Sequence, residues 1–145
     1  MQSIKSLTRL IKETAESHKQ LNTVVTGEQF EREDHDLYPL MHIVPGSWTI
    51  RSGKLAQKFL IITLDLGSED GTNREENLSD TQLVFVDIFS TLIKSSQDLD
   101  PLLEWEMNGD STKVVDGEGD CASGWVCEVI AYQQYQRDVC DLPMD

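Results

Sequence analysis

No stretch of this chain approaches the ~20 consecutive apolar residues that a membrane helix needs, so no membrane partner is expected. The opening segment, MQSIKSLTRLIKETAESHKQ, lacks a continuous apolar core and a small-residue cleavage site. That argues against a secretory signal, and the product is expected to stay in the cytoplasm of the cell that makes it. Cysteine is scarce: three residues, an odd number, read most simply as free thiols in a reducing compartment. Base is scarce too, with 12 Lys and Arg against 26 acids and a net charge of −14. Attraction to nucleic acid needs clustered cations, so that charge opposes it. There is no G-x-x-x-x-G-K-[ST] and no G-x-G-x-x-G, which removes support for nucleotide binding. There is no G-x-S-x-G elbow either, and the three histidines, His18, His35 and His42, are scattered. Internal repeats and low-complexity segments are also missing.

What remains is a 145-residue chain of ordinary globular composition, 39% hydrophobic and 26% charged. One domain of this size buries roughly 70% of its unfolded surface. We expect it to cover residues 1–135, with residues 136–145 as a C-terminal arm or a disordered tail. The charge is uneven. Residues 1–20 carry +2 and residues 51–58, RSGKLAQK, carry +3, which leaves −19 on the rest. Separate basic and acidic regions allow copies to meet head to tail. The plainer reading is solvated charge that keeps a monomer soluble.

Along the chain, Ile4, Leu7, Ile11 and Ala15 repeat at helical spacing, so residues 3–18 read as a helix with Ser3 as N-cap. The β-branched run NTVVT, residues 22–26, reads as a short strand ending at Gly27. Residues 28–36, EQFEREDHD, read as an acidic loop. Pro39 can open a strand over Leu40 to Val44; Pro45-Gly46 breaks it by a turn or bulge, and Trp48 to Arg51 resume it. Ser52-Gly53 is a hairpin turn, and residues 55–66 form the longest strand. Ala56, Leu60, Ile62, Leu64 and Leu66 share one of its faces, while Phe59 and Ile61 lie on the other. A strand apolar on both faces belongs in the middle of a sheet. Residues 67–77 read as a flexible acidic loop. Ser79 and Gln82 then form an S-x-x-Q capping box that starts a second helix. That helix is apolar around most of its girth, through Leu83, Val84, Phe85, Val86, Ile88, Phe89, Leu92 and Ile93. The surplus must be covered by the first helix, by another subunit or by both. Strands follow at residues 102–108 and 124–134, with turns at Asn108-Gly109 and in DGEGD. The expected fold is α+β: a mostly antiparallel sheet of about five strands with two helices packed on one face.

One stretch, VVDGEGDCASGWVCEVIAYQQYQ, residues 114–136, invites a metal reading through Asp116, Glu118, Asp120, Cys121 and Cys127. As a calcium loop it fails where glycine and the bidentate glutamate are required, because cysteines stand at both places. As a zinc site it lacks a nearby histidine. It reads as a polar turn entering a strand, with Cys127 in the core. His42, between Met41 and Ile43, reads as a hydrogen-bonded sheet residue. Trp48, Trp105 and Trp125 read as core or interface anchors.

Taken in order, NTVVTGEQFE, LYPLMHIVPGSWTI, KFLIITLDLGSED, NLSDTQLVFVDIFSTLIK and GWVCEVIAY resemble the tail-terminator-like neck proteins of tailed bacteriophages, most nearly those of crAss-like phages. The likeness runs over roughly residues 1–135 and contains no catalytic signature. It implies a structural virion protein of the neck, assembled in the host cytoplasm, with no enzymatic activity and no cofactor or metal. It implies partners: copies of itself in a six- or twelve-fold ring, the portal, and adaptor or other neck and tail rings. DNA would pass through the ring without sequence-specific binding. An acidic channel wall suits that passage, since carboxylates repel phosphate. The expected subunit interface is Arg51, Lys54, Lys58, Glu69, Asp70, Glu75, Glu76, Phe85, Val86 and Phe89, with the basic hairpin set against the acids of loop 67–77 or the arm. Two other readings stand beside it: a small cytoplasmic α+β binding module or accessory subunit, and an enzyme with dispersed carboxylates.

Overall fold

A computed structural model describes residues 2–27, 38–67, 72–117 and 122–134. The acidic stretch 28–36, Glu69, Asp70, Glu118, Asp120, Cys121 and the arm 136–145 lie outside the described residues. The element order is α1 (Ile4–Glu16), β1 (Thr23–Thr26), β2 (Leu40–Arg51), β3 (Lys54–Leu66), α2 (Arg74–Leu99), β4 (Glu104–Met107), β5 (Thr112–Gly117) and β6 (Ala122–Gln134). The fold is α+β, as the sequence suggests: a mostly antiparallel sheet in the order β1-β2-β3-β6-β4, with β5 also on β6. Only β1, which pairs with β2, is parallel to its neighbour among the described strands. No described helix is long and apolar enough to cross a membrane.

Each helix has a local cause. Ser3 caps α1, its Oγ accepting the Ser6 N–H at 3.1 Å, and Leu7, Ile11 and Ala15 fall on one side and are buried. α2 differs from expectation. It starts at Arg74 with Asn73 as the capping residue, so Ser79 lies inside it and the Ser79/Gln82 capping box goes unused. Glu75 and Glu76 occupy its first turn, where the positive helix end favours acids. Asn77 and Thr81 already face inward, so burial extends the helix backward into what reads as loop.

The hairpin β2–β3 turns at Ser52-Gly53, both with positive φ, 51° and 76°, as a two-residue turn with right-handed strand twist requires. β3 is central, flanked by β2 and β6 over most of its length. The helices cover the face bearing Gln57, Phe59, Ile61 and Thr63, not the face richer in leucine. Cross-strand neighbours place Ile43, Ile61 and Cys127 in one row, and Phe59 and Val129 in the next. Leu7, Ile11, Phe85, Ile88 and Leu92 close over them to form one core. Each such side chain, fully buried, contributes about 1.5–3 kcal/mol.

The far edge departs from expectation. Asn108-Gly109 does bend the chain, Gly109 with φ +80°. The chain then resumes as β5 along the same strand β6 that β4 pairs with. Asn108 bridges the break: its backbone N–H donates to the Glu128 carbonyl at 2.8 Å, and its side-chain amide to the Glu128 carboxylate at 2.7 Å. Residues 112–117, read partly as turn, are therefore edge strand.

Candidate assembly surfaces

The bulge at Pro45-Gly46 decides what the projecting hairpin presents. Pro45 pairs with Phe59, but Trp48 pairs with Gln57, so β2 holds one extra residue. That single residue reverses the alternation of every side chain beyond it. Trp48 and Ile50, which an unbroken strand would place with His42 and Val44, instead join Gln57 and Leu55 on the helix-bearing face. Gln57 stabilises the irregularity. It is buried, and its Nε2 donates to the Gly46 carbonyl at 2.9 Å and the Lys58 carbonyl at 2.8 Å. Two carbonyls that the bulge takes out of the ladder are thereby satisfied.

Between this hairpin and the start of α1 lies a groove of about 360 Å³. Ile4, Leu7, Trp48, Ile50 and Leu55 line it, and Gln57 and Gln133 complete it. Gln133 anchors the helix start by pairing its side-chain amide with both backbone groups of Gln2. Trp48 is 59% exposed, and Ile50 and Ile4 are also exposed. Lys5, Arg9 and Arg51 stand exposed on the same two elements.

The second apolar surface is on α2. Leu83 is 58% exposed and Val86 49%. Glu75, Glu76, Asp80 and Asp87 are exposed on the same helix. A smaller cavity of about 180 Å³ lies beneath Val86, lined by Gln82, Phe85, Met107, Ser111, Trp125 and Cys127. Cys127 is buried with its Sγ 3.0 Å from the Ser111 hydroxyl. Burial pushes its thiol pKa up, against the lowering effect of that contact.

The expected interface residues divide. Arg51 is exposed at the hairpin tip and has no ion-pair partner among the described residues. Lys54 and Lys58 already have acids in their own chain, Glu104 at 3.6 Å and Glu128 at 3.7 Å. Glu75 and Glu76 are exposed on α2, and Val86 faces outward. Phe85 sits in the chain's own core, only 4% exposed, and Phe89 is half-buried, stacked on it at 5.7 Å. The helix does hold more apolar surface than the core takes, but the surplus is Leu83 and Val86 mid-helix and Leu99 at its last turn. Trp48, which reads from the sequence as a core or interface anchor, stands exposed at the groove, while Ile50 and Ile4 are absent from the expected set. The signal that could have found them was the Pro45-Gly46 break, read for parity.

Chemical machinery is sparse by comparison. No group of three or more His, Cys, Asp or Glu that could hold a metal occurs among the described residues. His42 is buried in the sheet with its Nε2 2.8 Å from the Gly27 carbonyl. His18 joins Asp87 at 3.2 Å, tying the end of α1 to α2. Asp65 and Asp80 line one pocket with Gln20, Pro39, Thr81 and Val84. Burial raises the Asp65 pKa, the Leu66 N–H opposes that, and the Asp80 charge adds to it. Among the described residues, that pocket brings no histidine, cysteine or cation to the two acids.

The chain thus defines a six-stranded α+β domain whose helix-bearing side carries two distinct exposed apolar surfaces. It matches no protein-family model, and no curated protein is significantly similar to it.

Proposed function

We propose that this chain is a structural virion protein that closes into a ring in the neck of a tailed phage, between portal and tail, and so assists head–tail joining. The observation that carries the reading is the presence of two unlike apolar surfaces on one chain, the hairpin groove and the α2 ridge. Setting the groove of one copy on the ridge of another buries both surfaces, and such a contact can be made in a two-fold pair or head to tail. Head to tail, repetition of that contact gives a ring where its rotation closes, and the rings of the neck proteins that the sequence resembles favour that arrangement. The sequence resemblance to neck proteins supplies the setting, and the net charge of −14 suits a channel through which DNA slides without sticking. Lys54 and Lys58, held by Glu104 and Glu128, are poor candidates for gripping phosphate.

Negative-stain images and light scattering of the purified protein test this. The expected result is a ring whose mass is a high multiple of 16.4 kDa, which also copurifies with portal or tail proteins. A monomer that binds one cytoplasmic partner at equal stoichiometry, and no virion part, would overturn it in favour of a small binding module.

A further inference from the structure

The two apolar surfaces differ in their charged surroundings as well as in shape. The groove is concave, and its elements carry Lys5, Arg9 and Arg51 exposed. The α2 ridge carries Leu83 and Val86 one helical turn apart, with Glu75, Glu76 and Asp80 exposed on the same helix. Opposite charge around two apolar surfaces favours their pairing and sets its register. The positions suit a head-to-tail contact. The groove lies at the Gln133 end of β6, while the cavity under Val86 includes Trp125 and Cys127. Six residues of strand, from Cys127 to Gln133, put them about 20 Å apart along the sheet. One chain therefore cannot bring its own ridge into its own groove.

We propose that the hairpin groove of one copy receives the Leu83–Val86 ridge of α2 from the next copy. The occupant of the groove is a second copy of this chain. This assignment rests on the ring reading but is narrower, because a ring could close through other faces. Arg51 faces the acidic first turns of the incoming helix, and Trp48 is the side chain that covers the ridge.

The test uses two full-length variants, Trp48→Glu and Val86→Glu, with sedimentation velocity as the readout. Both side chains are exposed in the single chain, so both variants should keep the wild-type circular dichroism spectrum. Each alone should stay monomeric at concentrations where the wild type assembles. Their equimolar mixture should form a dimer and stop there, since only one groove and one ridge remain intact. Arg51→Glu should raise the concentration for half-assembly by about tenfold at low salt and by less at ~1 M salt. If either variant alone assembles like the wild type, or the mixture stays monomeric beside an assembling wild type, the groove–ridge contact is wrong and the ring reading survives. If the wild type itself stays monomeric throughout, both fall.

Discussion

Gly124→Ala should be the most damaging single-methyl change in the sheet. Gly124 pairs with Leu64 in the β3–β6 ladder at the centre of the fold. A Cβ added there would lie 1.8 Å from the Thr63 carbonyl oxygen, 2.8 Å from its carbon and 3.0 Å from the Leu64 Cα. All three atoms are backbone, so no rotamer change relieves the overlap. Carbon–oxygen contacts settle near 3.3–3.6 Å, so the strands must part locally by about 1.5 Å. That breaks the neighbouring ladder bonds, each worth about 1 kcal/mol net, and leaves buried groups unsatisfied at about 1–3 kcal/mol each. We expect a loss of about 3–5 kcal/mol, a large share of the ~5–15 kcal/mol that holds a typical domain. With an m-value near 2 kcal/mol/M, the urea midpoint should fall by about 2 M. The measurement is tryptophan fluorescence in urea, at protein concentrations below assembly. Gly53→Ala is the control: it has open space around it but φ +76°, and should cost only about 1–2 kcal/mol. A Gly124→Ala midpoint within about 0.3 M of wild type would refute the close approach of the two strands.

Two further changes probe polar groups. Ser96→Ala removes the acceptor for the Trp105 indole N–H, now 2.7 Å from the Ser96 Oγ with both residues buried. It should cost about 1–3 kcal/mol, and an unchanged urea midpoint would show that the bond does not matter. Asp65→Asn should stabilise the protein near neutral pH. The Asp65 pKa is raised, mainly by burial, so the folded state holds that proton more tightly than the unfolded state. Its contribution is therefore lost as pH climbs from the ordinary value of 3.8 through the raised one. Urea midpoints of wild type and variant should diverge in that direction at neutral pH and converge below 3.8; a variant less stable at neutral pH would contradict the burial.

Elements whose cause is local were legible in the sequence. The cap and apolar spacing of α1, the Ser52-Gly53 turn and the double-faced apolar run of β3 each follow from a few adjacent residues. Where a neighbour decides, the residues alone mislead. The S-x-x-Q signal at Ser79 is a sound helix start in isolation. It loses to a start at Arg74 because Asn77 and Thr81 face inward. DGEGD reads as a turn from Asp116, yet a strand that the sequence reading did not mark runs from Thr112 to Gly117, because β6 runs on past the bend at Asn108 and still has ladder groups to pair. The expectation for Cys127 held because a small apolar side chain in a central strand is buried on either face.

The assembly surfaces were half legible, and one inserted residue accounts for the missing half. Counting apolar positions on α2 shows that there are too many for one face, but it cannot say which ones the chain itself consumes. Packing takes Phe85 into the core and half of Phe89, and leaves Leu83 and Val86 outside. For β2, strict alternation from Leu40 would put Trp48 and Ile50 on the face away from the helices. The bulge sends them to the helix side, beside the start of α1, where both stay exposed among the described residues. An exposed tryptophan alone signifies little, since much of any protein surface is apolar. Here it borders a groove on a basic pair of elements, while the other apolar surface, Leu83 and Val86, stands among acids. Contact between the groove of one copy and the ridge of another relieves both at once. Each copy then gives one surface and receives the other, and where that contact runs head to tail with a rotation that closes, identical chains form a ring.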